Sequence, residues 1–466
     1  MRVLLANPPV LQSERKFNRP IRFPAFSYAT EVIHPPLLLA YAAAFIRSKG
    51  HEVNLIDASA LALSTSAFID RVKKFQPDYV AFETSTASFK NDAAVAKMVK
   101  ETTGCKTVFL GTHVSALPQK SLESSDLDAA VMGEYEYPLL EYIEKGPKDA
   151  RGIAYRAADG KIVVNQRMPY NTDLDSLPFP ARDLIPNYSY FDPILKNPFT
   201  FVLSGRGCPY RCTFCNWPQT LWGHEYRLRS SKNVCNELEH IKADYNFKSF
   251  LFNDDTFTVN KSHAMAVANE IVKRGIDIPW ACYSRPDLAD GSVLQSLRRA
   301  GCFLLKVGVE NGSQTILNNI KKGTTVENIR RGIMLMKEYG FDVHATFVFG
   351  MPGETEETIR QTIEFAKELE PTTVQFSTAV PYPETEFYKY LKDQGYLITT
   401  DWERFMPLQP IYRYPNITGI MLQGAVRQAY KSYYFRAKYF KIGLVGLFTE
   451  PRRFLHNFFS LLRFVF

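Results

Sequence analysis

Cysteine is scarce in this chain, with seven in 466 residues. The count is odd and the density low, which excludes a disulfide-stapled secreted scaffold and points to a reducing compartment. Long apolar runs are missing as well. PPLLLAYAAAFI at 35–46 falls short of the roughly 20 residues that a membrane-spanning helix needs. The opening MRVLLANPPV lacks the apolar core and small-residue cleavage site of a signal peptide. No GxGxxG follows the first strand pattern and no GxxxxGK[ST] occurs, removing a dinucleotide fingerprint and a P-loop. Neither charge sign dominates: 56 Lys and Arg against 48 Asp and Glu give +8, which permits an anionic partner and demands none. The expectation is a cytoplasmic protein of two or three domains, since one hydrophobic core does not grow to this length.

What is present is an alternation of short apolar runs and amphipathic stretches. Strand patterns at Val3–Ala6, Val53–Ile56, Tyr79–Phe82, Thr107–Leu110 and around Val131 alternate with helical patterns near 36–49, 66–74, 90–101 and 137–144. That order predicts a parallel, doubly wound sheet whose ligand lies at the carboxyl ends of the strands. A Pro-, Asn- and Asp-rich connector follows at about 151–198. A second run then predicts strands at 199–204, 249–253, 279–284, 303–309, 342–349 and 373–379 with helices between them. Six β/α units indicate an incomplete barrel rather than an eight-unit one.

Three of the seven cysteines fall within eight residues, in Ser204-Gly-Arg-Gly-Cys208-Pro-Tyr-Arg-Cys212-Thr-Phe-Cys215. Three thiolates on a glycine-flanked loop suit three irons of a [4Fe–4S] cluster, leaving the fourth iron to an exogenous chelator. Structural zinc would need a fourth ligand, for which His224 is nearest, and the paired CxxC spacing of such sites is missing. The C-x3-C-x-Φ-C motif, with Phe214 as its aromatic residue, is similar to that of the radical S-adenosylmethionine (SAM) superfamily. The resemblance implies a partial (β/α)6 barrel, a SAM-chelating cluster, and reductive cleavage of SAM to a 5′-deoxyadenosyl radical. Further segments match the family in order: Asn253-Asp254-Asp255 after the second barrel strand, Ser284-Arg285 after the third, Glu310 at the fourth, and Gly350-Met-Pro-Gly353 at the fifth. By resemblance, Phe214, Asp254, Asp255, Ser284, Arg285, Glu310, Gly350 and Gly353 contact SAM, and Cys208, Cys212 and Cys215 are the catalytic cluster ligands.

The first domain resembles the cobalamin-binding domain of the B12-dependent radical SAM subfamily, in Leu4–Pro9, His51–Asp57, Leu110–Pro118 and Val131–Glu136. No Asp-x-His-x-x-Gly motif occurs, so no histidine is offered as lower cobalt ligand in the manner of B12 mutases. The resemblance implies a cobalamin contact set of Asn7, Pro8, Thr84, Ser85, Gly111, Thr112, His113, Gly133 and Glu134. His113 is equally readable as a loop histidine. The fold is therefore expected to be α/β: a Rossmann-like cobalamin domain at 1–147, a linker at 148–198, a radical SAM barrel at 199–385 and a mainly helical cap at 386–466.

The stretch Asn216–Thr220 followed by Gly223–Ser230 looks like radical SAM proteins of hopanoid and isoprenoid-lipid tailoring, and the 430–466 tail is basic and aromatic. A tail of that kind either lies on an anionic membrane surface or packs its aromatics on the barrel. The expected reaction is cobalamin-assisted methyl transfer to a lipid or other apolar substrate, with an electron donor of flavodoxin or ferredoxin type. Cyclisation or rearrangement without methylation is the alternative, and a non-catalytic SAM- or cobalamin-binding module the second. A tRNA methylthiotransferase, the nucleic-acid rival, carries three further cysteines in its first domain, whereas residues 1–150 here hold only Cys105; no nucleic-acid partner is expected.

Overall fold

The computed structural model describes residues 1–11, 16–19, 24–26, 32–436 and 439. The first domain is a sheet of strands β1 (Arg2–Asn7), β2 (Glu52–Asp57), β3 (Tyr79–Glu83), β4 (Lys106–Leu110), β5 (Ala129–Val131), β6 (Ile153–Arg156) and β7 (Ile162–Val164), in the order β2-β1-β3-β4-β5-β6-β7. Strands β1 to β5 are parallel. The order reverses beside β1, so the strands on either side of that point open a crevice at their carboxyl ends. Helices α1 (Leu37–Ser48) and α6 (Glu136–Lys145) pack on one face, and α2 (Thr65–Phe75) and α3 (Phe89–Thr103) on the other. Two short helices, α4 (Thr112–Ala116) and α5 (Pro118–Glu123), follow β4.

One departure from the sequence reading concerns the connector. Its residues 153–156 and 162–164 form β6 and β7, which extend the sheet antiparallel to β5. The sheet is mixed, not parallel throughout. The signal was masked because β7 is half-exposed and only three residues long, too short for a periodicity to register.

The barrel sheet is β8 (Phe199–Val202), β9 (Ser249–Phe252), β10 (Trp280–Ser284), β11 (Cys302–Glu310), β12 (Asp342–Phe349) and β13 (Thr373–Thr378), all parallel and in sequence order. Its outer layer includes α7 (Ser231–Asp244), α8 (Lys261–Lys273), α9 (Gly291–Arg299), α10 (Gln314–Asn319), α11 (Val326–Glu338) and α12 (Glu356–Leu369). Ser230, Asn260, Asp290, Thr325 and Thr355 cap five of these helices, each accepting an N–H of the first turn. Such caps satisfy donors that have no partner within the helix.

An incomplete barrel leaves an edge strand with unpaired backbone groups. Here α14 (Gly419–Tyr434), which follows α13 (Glu386–Asp393), covers that edge. The Tyr434 and Tyr430 hydroxyls accept the Val374 and Phe376 N–H groups of β13, each at 3.1 Å. These two tyrosines belong to the start of the aromatic tail at 430–466. The tail beyond residue 439 lies outside the described residues.

The two domains share one apolar core. It runs from α1 and α6 through Leu177, Ile185 and Tyr190 of the connector to Phe199, Phe201, Leu251, Ala281 and Leu304 on the barrel strands.

Candidate functional site

The cysteine loop leaves β8 at the carboxyl end of the sheet. It is flanked by a two-stranded ribbon, Gly205–Arg206 against Arg227–Leu228. Gly207 has φ +95°, and a Cβ there would sit 2.0 Å from the Glu225 carbonyl oxygen; only glycine lets the loop cross the ribbon so closely. Cys208 is buried, while Cys212 and Cys215 are half-buried. Burial, followed by the neighbouring Asp255 carboxylate, pushes the Cys208 thiol up to about 11.

Gln219 fixes the far side of the loop. Its amide N–H donates to the Cys212, Thr213 and Cys215 carbonyls at 3.3, 3.3 and 2.6 Å. Its oxygen accepts the Glu386 N–H at 3.1 Å. This residue was not singled out from the sequence, where a lone Gln carries no signal.

His224, the candidate fourth zinc ligand, donates from Nδ1 to the Cys208 carbonyl at 3.0 Å. Among the described residues, no three His, Cys, Asp or Glu side chains close on one point as a single ion requires. Three thiols spaced along one loop suit three irons of a [4Fe–4S] cluster, whereas structural zinc takes four protein ligands.

Around the loop, several expected SAM contacts are engaged by the protein itself. The fully buried Asp254 accepts from the Ser204 N–H at 3.0 Å, the Ser204 hydroxyl at 2.7 Å and the Tyr226 hydroxyl at 3.1 Å. Burial outweighs these bonds and raises its carboxyl to about 6. Asp255 accepts the Trp222 indole N–H at 2.7 Å. Arg285 forks onto Asp287 at 3.1 and 2.9 Å, donates to the Lys322 carbonyl at 2.7 Å, and lies 3.6 Å above the Tyr210 ring of the cysteine loop. Phe214 is buried in the barrel core.

Ser284 shares a 2.7 Å hydrogen bond with Thr258. Glu310 takes φ +70° at a bulge in β11, and its Oε1 accepts from Lys322 at 2.8 Å. A left-handed glutamate costs of order 1–3 kcal/mol and clusters at functional sites. Gly350 and Gly353, with φ +87° and +86°, turn the chain against Tyr412 and Asn319, where a Cβ would meet those side chains at 2.3 and 2.5 Å.

The strand ends of the first sheet form a second polar site. Tyr135 donates to Glu83 Oε1 at 3.0 Å, while Glu83 Oε2 and Asn7 Oδ1 are buried without a hydrogen-bond partner among the described residues. Burial pushes Glu83 up to about 7, against the pull of the Tyr135 bond. Pro8 is buried beside Asn7. The Thr84 hydroxyl donates to Asp92 at 2.8 Å and Ser85 shares a bond with Ser88 at 3.0 Å. Arg19 pairs with the same Asp92 at 2.6 Å, both side chains fully buried.

Gly111, at φ +122°, brings the chain so close to Thr84 that a Cβ would lie 2.2 Å from its carbonyl oxygen. Thr112 and His113 follow, both buried. His113 bonds Thr86 at 3.3 Å and packs between Phe89 and Trp402. Burial lowers its pKa to about 3, so the ring is neutral. The Gly133 N–H donates to Ser115 at 3.0 Å. Glu134 turns away from this site, onto Arg206 and Arg227.

Unsatisfied acceptors at Asn7 and Glu83 are what an amide-rimmed macrocycle such as a corrin would meet with its N–H donors, so the residues present fit that group.

The chain matches the Radical SAM superfamily over residues 202–366 and the B12 binding domain over residues 29–143. It is 33% identical to an uncharacterized methyltransferase of Pyrococcus horikoshii over 414 residues, covering 87% of this chain and 88% of the relative. It is 26% identical over 385 residues to a hopanoid C-3 methylase of Methylococcus capsulatus, covering 79% and 71%. The fold resembles that of OxsB, a cobalamin-dependent SAM radical enzyme solved with aqua-cobalamin and SAM, at TM-score 0.75 and 16% identity over 98% of this chain and 72% of that one. The chain belongs to the radical SAM enzymes that carry a B12-binding domain, whose cofactors are a [4Fe–4S] cluster, SAM and cobalamin.

Proposed function

We propose that this enzyme transfers a methyl group to an unactivated carbon of an apolar, lipid-like substrate. The observation that carries the reading is the contact between the two strand-end sites: the Cys208 loop of the barrel lies against the Gly133–Glu136 turn of the first domain through buried ion pairs. When bound, the cluster supplies the electron that cleaves SAM to a 5′-deoxyadenosyl radical, and cobalamin supplies the methyl group.

In this reading Cys208, Cys212 and Cys215 hold the cluster, with Gly207 and Gln219 fixing their loop. Ser284, Asp255 and Glu310 face SAM. Asp254 and Arg285 act by holding the loop in place, Phe214 closes its apolar side, and Gly350 and Gly353 shape the adjacent turn. Asn7 and Glu83 accept from the corrin, and Pro8, Thr84, Ser85, Gly111, Thr112, His113 and Gly133 line it. Residues 1–147, extended by β6 and β7, form the cobalamin domain, 199–385 the barrel and 386–466 the cap. An electron donor of flavodoxin or ferredoxin type completes the system.

The lipid class and a peripheral membrane contact rest on the basic, aromatic composition of residues 430–466. No helix among the described residues is long and apolar enough to cross a membrane.

The test is anaerobic reconstitution with methyl-deuterated SAM and a lipid extract. A deuterium-labelled lipid is the expected product. 5′-Deoxyadenosine together with an altered but unlabelled lipid would replace methylation by cyclisation or rearrangement.

The first domain has its own test. Gly111→Ala drives a Cβ into the Thr84 carbonyl, moving the Thr84–Ser88 loop that lines the corrin. Hydroxocobalamin affinity, read by absorption titration, is expected to fall by at least about tenfold, equivalent to roughly 1.4 kcal/mol. Unchanged affinity would remove this loop from the cobalamin site.

A further inference from the structure

The turn after β5 faces two ways. Glu134 and Glu136 point to the barrel, where Arg206 donates to Glu136 at 2.6 and 3.2 Å and to Glu134 at 3.1 Å. Arg227, across the ribbon, donates to Glu134 at 3.1 Å and to the Asn171 carbonyl at 2.7 Å. The side chains of all four charged groups are at most 8% exposed. Tyr135, between the two glutamates, points the other way and donates to Glu83 at the first domain's strand ends.

Arg206 stands two residues before Cys208 and lies over the Trp222 ring. The Trp222 N–H is held by Asp255, the carboxylate that acts on Cys208. A continuous set of buried contacts thus runs from Glu83 through Tyr135, the two glutamates and Arg206 to the cysteine loop. Stability alone does not account for it, because buried ion pairs of this kind are often no more stabilising than apolar residues of the same volume. What they fix is relative position.

We infer that Arg206, seated between Glu134 and Glu136, is a positioning residue that couples occupation of the cobalamin site to the conformation of the cluster loop. The inference rests on the proposed cobalamin role of the first domain. Cluster loading orders residues 204–215, hence Arg206, hence the turn that aims Tyr135. Coupling of this sort is reciprocal: each cofactor tightens the other by the same factor.

Hydroxocobalamin is titrated into the full chain with and without its reconstituted cluster. The cluster-loaded protein is expected to bind about fivefold or more tightly. In the variant Arg206→Met with Glu136→Gln, one positive and one negative charge are removed together and the Arg227–Glu134 pair survives. Its ratio is expected to fall to about one, while both cofactors still bind. A merely structural role would weaken both affinities alike and leave the ratio at its wild-type value, which overturns the inference, as does a ratio of one in the wild type.

If that variant fails to fold, hydrogen exchange on the wild type decides without cobalamin. Cluster reconstitution is expected to slow exchange at residues 133–136, and unchanged exchange there overturns the inference. A wild-type chain that binds no hydroxocobalamin at all overturns the functional reading and this inference with it, which separates the two failures.

Discussion

Replacing Cys208, Cys212 or Cys215 with Ala abolishes reductive SAM cleavage, with a loss of at least about a thousandfold, roughly 4 kcal/mol of barrier. The three thiols sit on one glycine-framed loop whose position depends on backbone contacts. Gln219 holds three of its carbonyls, the Thr213 N–H donates to the Ile320 carbonyl at 3.1 Å, and the Phe387 N–H donates to the Thr213 carbonyl at 3.0 Å. An alanine leaves that framework intact and removes one ligand, so the variant folds but lacks a competent cluster. Iron content, the charge-transfer absorption of the cluster, 5′-deoxyadenosine formation under dithionite and the melting curve check each part. Wild-type cleavage in any of the three variants would overturn the assignment.

The largest effect on stability is expected at Glu237. Its carboxylate, fully buried on α7, accepts from Arg182 of the connector at 2.6 Å and from Arg229 beyond the cysteine ribbon. Glu237→Ala leaves two guanidiniums without their shared partner. Removing one side of a buried ion pair costs about 3–5 kcal/mol, and here the loss also loosens the connector from the barrel. Burial alone would raise the Glu237 pKa, but Arg229 and Arg182 overcome it and hold the group below the usual carboxylate range.

A depressed carboxyl stabilises the fold fully above its unfolded value, about 4.3, and that contribution is lost as pH falls through the folded value. Denaturant titration of wild type and variant is therefore expected to give a difference that is flat from pH 7 to 5 and shrinks in stronger acid. A variant as stable as wild type at pH 7 would show that the triad contributes nothing net.

The three-cysteine motif was legible because its spacing is local: the three thiols stand within eight residues of one loop and need no knowledge of the fold. The alternation of strands and helices was legible for the same reason, and the strands of both sheets fall close to where periodicity put them. Strands β6 and β7 were not: they are only four and three residues long, and β7 is half-exposed.

The chemistry of individual charges was the least legible. Asp254, Arg285 and Glu134 were expected as cofactor contacts from the family resemblance of their strand-end segments. In the folded chain Asp254 holds Ser204 and Tyr226, Arg285 holds Asp287 and the Tyr210 ring, and Glu134 joins the two domains. Arg206 went unremarked in a glycine-rich motif, since its partners lie 70 residues away.

By itself, then, the sequence determined the cluster motif and the β/α order of both domains, because spacing and periodicity are written within a few residues. Only the tertiary structure decided which charges pair with one another and which of those pairs join the two domains. A buried charge must be paired, and burial brings its partner from anywhere in the chain.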